Sequence, residues 1–118
     1  MTFKQGDIIK FNFDPTLGHE QGKYRPALVI SRTLFNVNTG QAVVCPITNQ
    51  TKSFPTRLKI DDEKMKTKGF IICDHIKTID VEARSPRFVE SVPNSLLIRT
   101  LEIIQTIICS VDTLDISD

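Results

Sequence analysis

An arginine, a threonine and an aspartate stand at three points of this 118-residue chain where an apolar run meets a polar one. They are Arg25 in KYRPALVIS, Thr48 in CPITNQTK and Asp74 in IICDHIKTID. Because Pro26 follows it, Arg25 is restricted to extended backbone. It opens its strand with a guanidinium whose planar fork is a good anion holder. Thr48 ends a strand, and its hydroxyl either caps the following turn or donates to the same anion as Arg25. Beyond it, Asn49, Gln50 and Lys52 offer amide edges and charge suited to bases and phosphates. Asp74 and His75 interrupt an apolar run, so they either reach a cleft or close a hydrogen-bonded turn. The segment DPTLGHEQGKYRP adds His19, Glu20, Lys23 and Tyr24 immediately before the Arg25 strand. Its plainer reading is a surface loop of solvated charges.

The rest of the composition narrows the chemistry. Lys+Arg number 15 against Asp+Glu 14, a net charge of +1, so any case for a nucleic-acid partner rests on local patches and not on bulk basicity. Cys45, Cys73 and Cys109 each follow two aliphatic residues and read as small buried hydrophobes of a reducing compartment. Their odd number and the absence of C-x-x-C spacing argue against a disulfide framework or a zinc site, and no cofactor is implied. G-x-G-x-x-G, P-loop, H-E-x-x-H and G-x-S-x-G motifs are all missing, which disfavours nucleotide-cofactor enzymes, metalloproteases and serine hydrolases. The N-terminal MTFKQGD lacks the apolar core of a signal peptide, and no run reaches membrane-spanning length. A cytoplasmic protein with no membrane partner is expected.

The elements that must position these groups read as follows. Alternation in GDIIKFNFD puts Ile9, Phe11 and Phe13 on one face of a strand. RPALVISR predicts a strand covered on both faces, and QAVVCPIT a third strand in which Pro46 marks an edge or a bulge. LFNVNTG reads as a loop or short turn, RLKI as a short strand, and DDEKMKTKG as a charged turn. GFIICDHIKTID predicts one or two strands broken around Asp74 and His75. In SVPNSLLIRTLEIIQTIIC the period changes. Leu97, Leu101, Ile104 and Ile108 form a helical stripe widened by Leu96, Ile103 and Ile107, with Pro93 in the first turn. Residues 1–118 are read as a single domain, mainly β: a small, strongly curved antiparallel barrel with a C-terminal α-helix.

Four stretches together carry a family resemblance: GDII-x₃-FDPTLGHEQGKYRPALVIS, CPITNQTKSFPT, CDHIKTID-x-x-AR and VPNSLLIRTLEII. In this order and spacing the chain resembles the MazF/PemK toxins, the RNA-cleaving halves of bacterial toxin–antitoxin pairs. The resemblance implies an SH3-like barrel, a homodimer and an antitoxin whose tail occupies the RNA groove. It also implies a metal-independent endoribonuclease acting on single-stranded RNA at a short recognition sequence. Its R-P arginine falls on Arg25 and its I-T threonine on Thr48, the implied catalytic pair. Its G-x-E-Q motif falls on Gly18 to Gln21, beside the active site. In the PemK branch a histidine and an aspartate are implicated that match His19 and Asp74. That branch carries a base just before C-D, where this chain has Ile72, so a mechanism using that base needs a substitute. His75 and Lys77 match positions of RNA contact.

The residue types fit such a reaction. RNA brings its own nucleophile, the 2′-hydroxyl, and the protein has to orient it, move protons and stabilise the crowded phosphate. A general base comes from His19, Glu20 or Asp74, among which the sequence does not choose. The expected products are a 2′,3′-cyclic phosphate and a 5′-hydroxyl. Two rivals keep the fold: a gyrase poison like the CcdB toxins and a catalytically silent binding module. The chain has no Trp and ends in DTLDISD, against the CcdB pattern of a tryptophan near the C-terminus.

Overall fold

The computed structural model describes residues 2–14, 23–50 and 52–112. Seven strands and three helices follow in the order β1 (Asp7–Asn12), β2 (Tyr24–Val29), α1 (Thr33–Thr39), β3 (Gln41–Thr48), β4 (Arg57–Lys59), β5 (Phe70–Ile72), β6 (Lys77–Asp80), α2 (Val81–Arg84), β7 (Arg87–Ser91) and α3 (Asn94–Ile108). Every pairing is antiparallel, in the order β4-β5-β3-β2-β1-β7, with β6 paired to β3. The mainly β expectation with a terminal helix holds.

The two-residue period of the strands divides the apolar side chains between two clusters. Ile9, Phe11, Phe13, Ala27, Val29, Val44 and Ile79 are buried on one face of the sheet. There the rings of Phe11 and Phe13 stack 4.3 Å apart. Ile8, Leu28, Cys45, Ile47 and Ile71 are buried on the other face, beneath Leu96 and Ile104 of α3. Each large apolar side chain so buried contributes about 1.5–3 kcal/mol. β2 is covered on both faces, as its continuous apolar run requires.

β3 changes partner along its length. Its first half pairs with β6 through Val44↔Lys77, and its end pairs with β5 through Ile47↔Ile71 and Thr48↔Phe70. Pro46 sits in the two-residue gap between these ladders, where a residue without an N–H is tolerated. The curved sheet is also tied across its ends. Glu90 of β7 accepts hydrogen bonds from the Lys66 and Thr67 N–H groups and the Thr67 hydroxyl, in the loop between β4 and β5.

Four local expectations change. LFNVNTG is a helix, not a loop, because Asn36 is buried and bonded: its amide donates to the Phe3 carbonyl at 2.9 Å. The helix stops at Gly40, whose φ of 70° is the left-handed conformation that glycine supplies at helix ends. The buried stripe of α3 centres on Leu96, Thr100 and Ile104, with the Thr100 hydroxyl donating to the Leu96 carbonyl at 2.8 Å. Ile107 and Ile108 are exposed. Pro93 caps α3 with extended backbone instead of opening its first turn. Cys45 and Cys73 are buried, but Cys109, beyond α3, is exposed.

Candidate active site

Arg25 and Thr48 come from neighbouring strands. The β2–β3 ladder ends at Ala27↔Pro46, with Arg25 two residues beyond it on β2 and Thr48 two residues beyond it on β3. Phe11 opposes Arg25 on its other side. Side chains opposite one another in a ladder share a face, so Arg25 and Thr48 both lie on the Phe11–Val44 face. Lys77, opposite Val44, shares that face, and its Nζ stands 6.0 Å from the Phe13 ring centre. Arg25 is half-buried and engaged; Thr48 is buried.

The Thr48 hydroxyl accepts a hydrogen bond from the Gln50 N–H at 3.2 Å. The turn-capping role is therefore real, and it uses the oxygen's lone pair while leaving the O–H proton to donate. Gly69 backs this strand end with a φ of 111°. Asn49, Gln50 and Lys52 follow on the exposed side of the turn, and Lys52 is engaged.

The stem of the long segment between β1 and β2 is firmly pinned. The Phe13 N–H donates to the Lys23 carbonyl at 2.9 Å, and the Lys23 N–H donates to Asp14 Oδ1 at 3.0 Å. From α2, Arg84 donates to the carbonyls of Asn12 and Asp14 at 2.9 and 2.7 Å. Asp14 and Lys23 are thus held together beside Arg25. His19, Glu20 and Gln21 lie outside the described residues.

Asp74 belongs to a second polar group. Its Oδ1 accepts from the Thr56 hydroxyl at 3.0 Å and from the guanidinium of Arg57, while its Oδ2 stands 3.9 Å from His75 Nε2. Burial raises the Asp74 pKa, but the Arg57 and Thr56 hydrogen bonds and its own backbone N–H outweigh it and leave the carboxyl below its ordinary value. A carboxylate so stabilised is a weak proton acceptor and a good anchor for its neighbours. The buried thiol of Cys73 is pushed up to about 11 by burial and by Asp74, so it stays protonated. Among the described residues, no group of three or more His, Cys, Asp or Glu could hold a metal ion.

Arg57 was not legible as a site residue. It is one polar residue of a short strand, and its place follows only from the pairing Arg57↔Ile72. That pairing brings the Arg57 guanidinium from the adjacent strand to Asp74. Alternation along β5 carries Arg57, Ile72 and Phe70 to the face that holds Thr48. Arg57 lies two strands and two residues from Thr48, roughly 12 Å at ordinary sheet spacings. Arg84 was quoted only as part of a motif; its grip on the stem gives it a positional role.

Residues 4–108 match the family model described as the PemK-like, MazF-like toxin of type II toxin-antitoxin systems. The chain is 33% identical over 108 residues to the endoribonuclease PemK of Escherichia coli, covering 89% of this chain and 81% of that protein. The crystal structure of MazF from Deinococcus radiodurans superposes with a TM-score of 0.84 at 28% identity, covering 91% and 96% of the two chains. MazF in the MazE–MazF crystal structure from the same organism gives 0.78 at 28% identity and the same coverage. The chain belongs to the PemK-like, MazF-like toxin family of type II toxin–antitoxin systems.

Proposed function

We propose that this protein is an endoribonuclease toxin that cuts single-stranded RNA through the RNA's own 2′-hydroxyl. What supports the reading is that Arg25 and Thr48 each lie two residues beyond Ala27↔Pro46, the end of the β2–β3 ladder, on neighbouring strands. Arg25 donates N–H groups to the phosphate oxygens, and the Thr48 O–H adds a third donor where negative charge develops. The 2′-oxygen attacks phosphorus, the bond to the 5′-oxygen breaks, and that oxygen takes a proton. The products are a 2′,3′-cyclic phosphate and a 5′-hydroxyl.

The base that takes the 2′-proton is His19 or Glu20 in preference to Asp74. Asp74 is held ionised and weakly basic by Arg57 and Thr56. Gln21, Asn49, Gln50, Lys52, His75 and Lys77 contact RNA around the cut. Unpaired RNA is required, because a regular duplex hides base edges and fixes its backbone away from in-line geometry.

An antitoxin partner is supported by the MazE–MazF complex. A homodimer is supported by the exposed Ile98, Ile107 and Ile108 on α3. The protein acts in the cytoplasm, as a single domain and without a cofactor. No described helix is long and apolar enough to cross a membrane.

The deciding experiment incubates the purified protein with a long RNA and, separately, with DNA gyrase. Cleavage at a recurring short sequence, leaving 5′-hydroxyl ends, is expected. Intact RNA together with gyrase inhibition would overturn the reading.

A further inference from the structure

Among the described residues only Lys23 and Ser85 combine a side chain with a positive φ, 67° and 46°. That conformation is disfavoured for any residue with a Cβ. Ser85 has an ordinary reason for it, because it ends α2 and its N–H donates to the Val81 carbonyl. Lys23 ends no helix. Strain held at such a position clusters at functional sites.

The backbone of Lys23 is over-determined. Its N–H donates to Asp14 Oδ1 at 3.0 Å, and its carbonyl accepts from the Phe13 N–H at 2.9 Å. The Asp14 N–H in turn donates to Asn12 Oδ1 at 2.9 Å, and Arg84 holds the carbonyls of both residues. None of these bonds uses the lysine side chain. Glycine would make the same backbone bonds without strain, and asparagine with little. The lysine is exposed, and among the described residues its ammonium forms no ion pair. The fold therefore tolerates a lysine that its own bonding does not require.

Arg25 follows two residues later, so the two Cα atoms are at most about 7 Å apart. A single strand of RNA carries a negative charge at every nucleotide. An ammonium on a flexible stem is a point charge that meets a phosphate without needing the forked geometry of a guanidinium. We propose that Lys23 binds the RNA phosphate next to the one at Arg25, and that its rigid backbone node aims that charge along the strand. The proposal rests on the ribonuclease reading and deepens it: Lys23 adds a backbone contact that holds the strand in register, with no part in the chemical step.

The test compares the full-length parent with Lys23→Asn, Lys23→Gly and Lys23→Arg, each first checked for folding by circular dichroism and thermal melting. Binding is measured over a range of salt with a short mixed-sequence 2′-O-methyl single strand, which cannot be cut. The dependence of log K on log salt should become shallower by about 0.7 in Lys23→Asn and Lys23→Gly and stay near the parent's in Lys23→Arg. With ordinary RNA, KM should rise about fivefold at low salt in the two neutral variants, with a smaller change in kcat, and Lys23→Arg should recover most of the loss. If Lys23→Asn does not fold, Lys23→Gly decides. An unchanged salt slope in the folded neutral variants, or a Lys23→Arg protein as impaired as they are, would overturn the contact while leaving a parent that cuts RNA as the nuclease proposed. A parent whose salt slope depends on Lys23 but that never cuts ordinary RNA would sink the nuclease reading and leave the contact standing.

Discussion

Gly69 stands so close to the end of β3 that a Cβ on it would lie 2.5 Å from the carbonyl oxygen of Thr48. The same Cβ would be 2.9 Å from the Thr48 carbonyl carbon, so the obstacle is backbone and cannot rotate away. With a φ of 111°, the position also excludes side chains on conformational grounds.

Gly69→Ala should therefore move Thr48. The cost in stability is about 1–3 kcal/mol from the backbone conformation alone. The sharper effect is on turnover. Displacing a donor from the phosphate should lower kcat at least tenfold, with a smaller change in KM, in single-turnover cleavage of a short RNA. Full kcat in a folded Gly69→Ala protein would separate Gly69 from the site.

Arg84 tests the stem of the segment between β1 and β2. Its guanidinium holds the carbonyls of Asn12 and Asp14, and each charged hydrogen bond contributes about 1.5–3 kcal/mol when well formed. Arg84→Ala should loosen that stem and weaken cleavage, while Arg84→Lys recovers part of the loss because it keeps one charged donor. Hydrogen exchange at the amides of Phe13 and Lys23 should quicken in Arg84→Ala. Unchanged exchange there would refute the positional role.

Glu90 makes stability depend on pH. Burial raises its pKa, but the Thr67 hydroxyl, the Thr67 and Lys66 N–H groups and the Lys66 charge together hold it below the ordinary value. The unfolded chain therefore takes up that proton first. The stabilisation is fully present above the ordinary glutamate pKa and is lost as the pH falls through the lower folded value. Glu90→Gln should cost on the order of 1–2 kcal/mol at pH 7, a fall in Tm of roughly 4–10 °C. Its melting curves should converge with those of the parent in acid. A constant gap in Tm at every pH would show that the tie is not electrostatic.

The sequence was most legible where one period dominates. Ile9, Phe11 and Phe13 announce their strand, and the heptad-like stripe after Pro93 announces α3. It failed where a polar residue is buried for a tertiary reason. Asn36 reads as loop punctuation until Phe3, thirty-three residues away, supplies its partner. Thr100 stands outside the apolar stripe, yet it is buried, with its hydroxyl turned back on the helix. β7 gives no alternation to read, because Phe88 is exposed and Val89 and Glu90 are both half-buried. The candidate site divides in the same way. Arg25 and Thr48 each stand at a visible junction of strand and loop, but their adjacency is a matter of register. Arg57 reaches Asp74 only because β4 pairs with β5, which no local pattern encodes.

In the proposed reaction Arg25 and Thr48 serve an attack by the RNA's own 2′-hydroxyl. Its most direct test takes a short single-stranded RNA that the protein cuts at one place and replaces the ribose on the 5′ side of that bond with 2′-deoxyribose. The substituted strand should bind normally and stay whole, while the all-ribose strand should yield a 2′,3′-cyclic phosphate and a 5′-hydroxyl. Cleavage of the substituted strand at the same bond would contradict it.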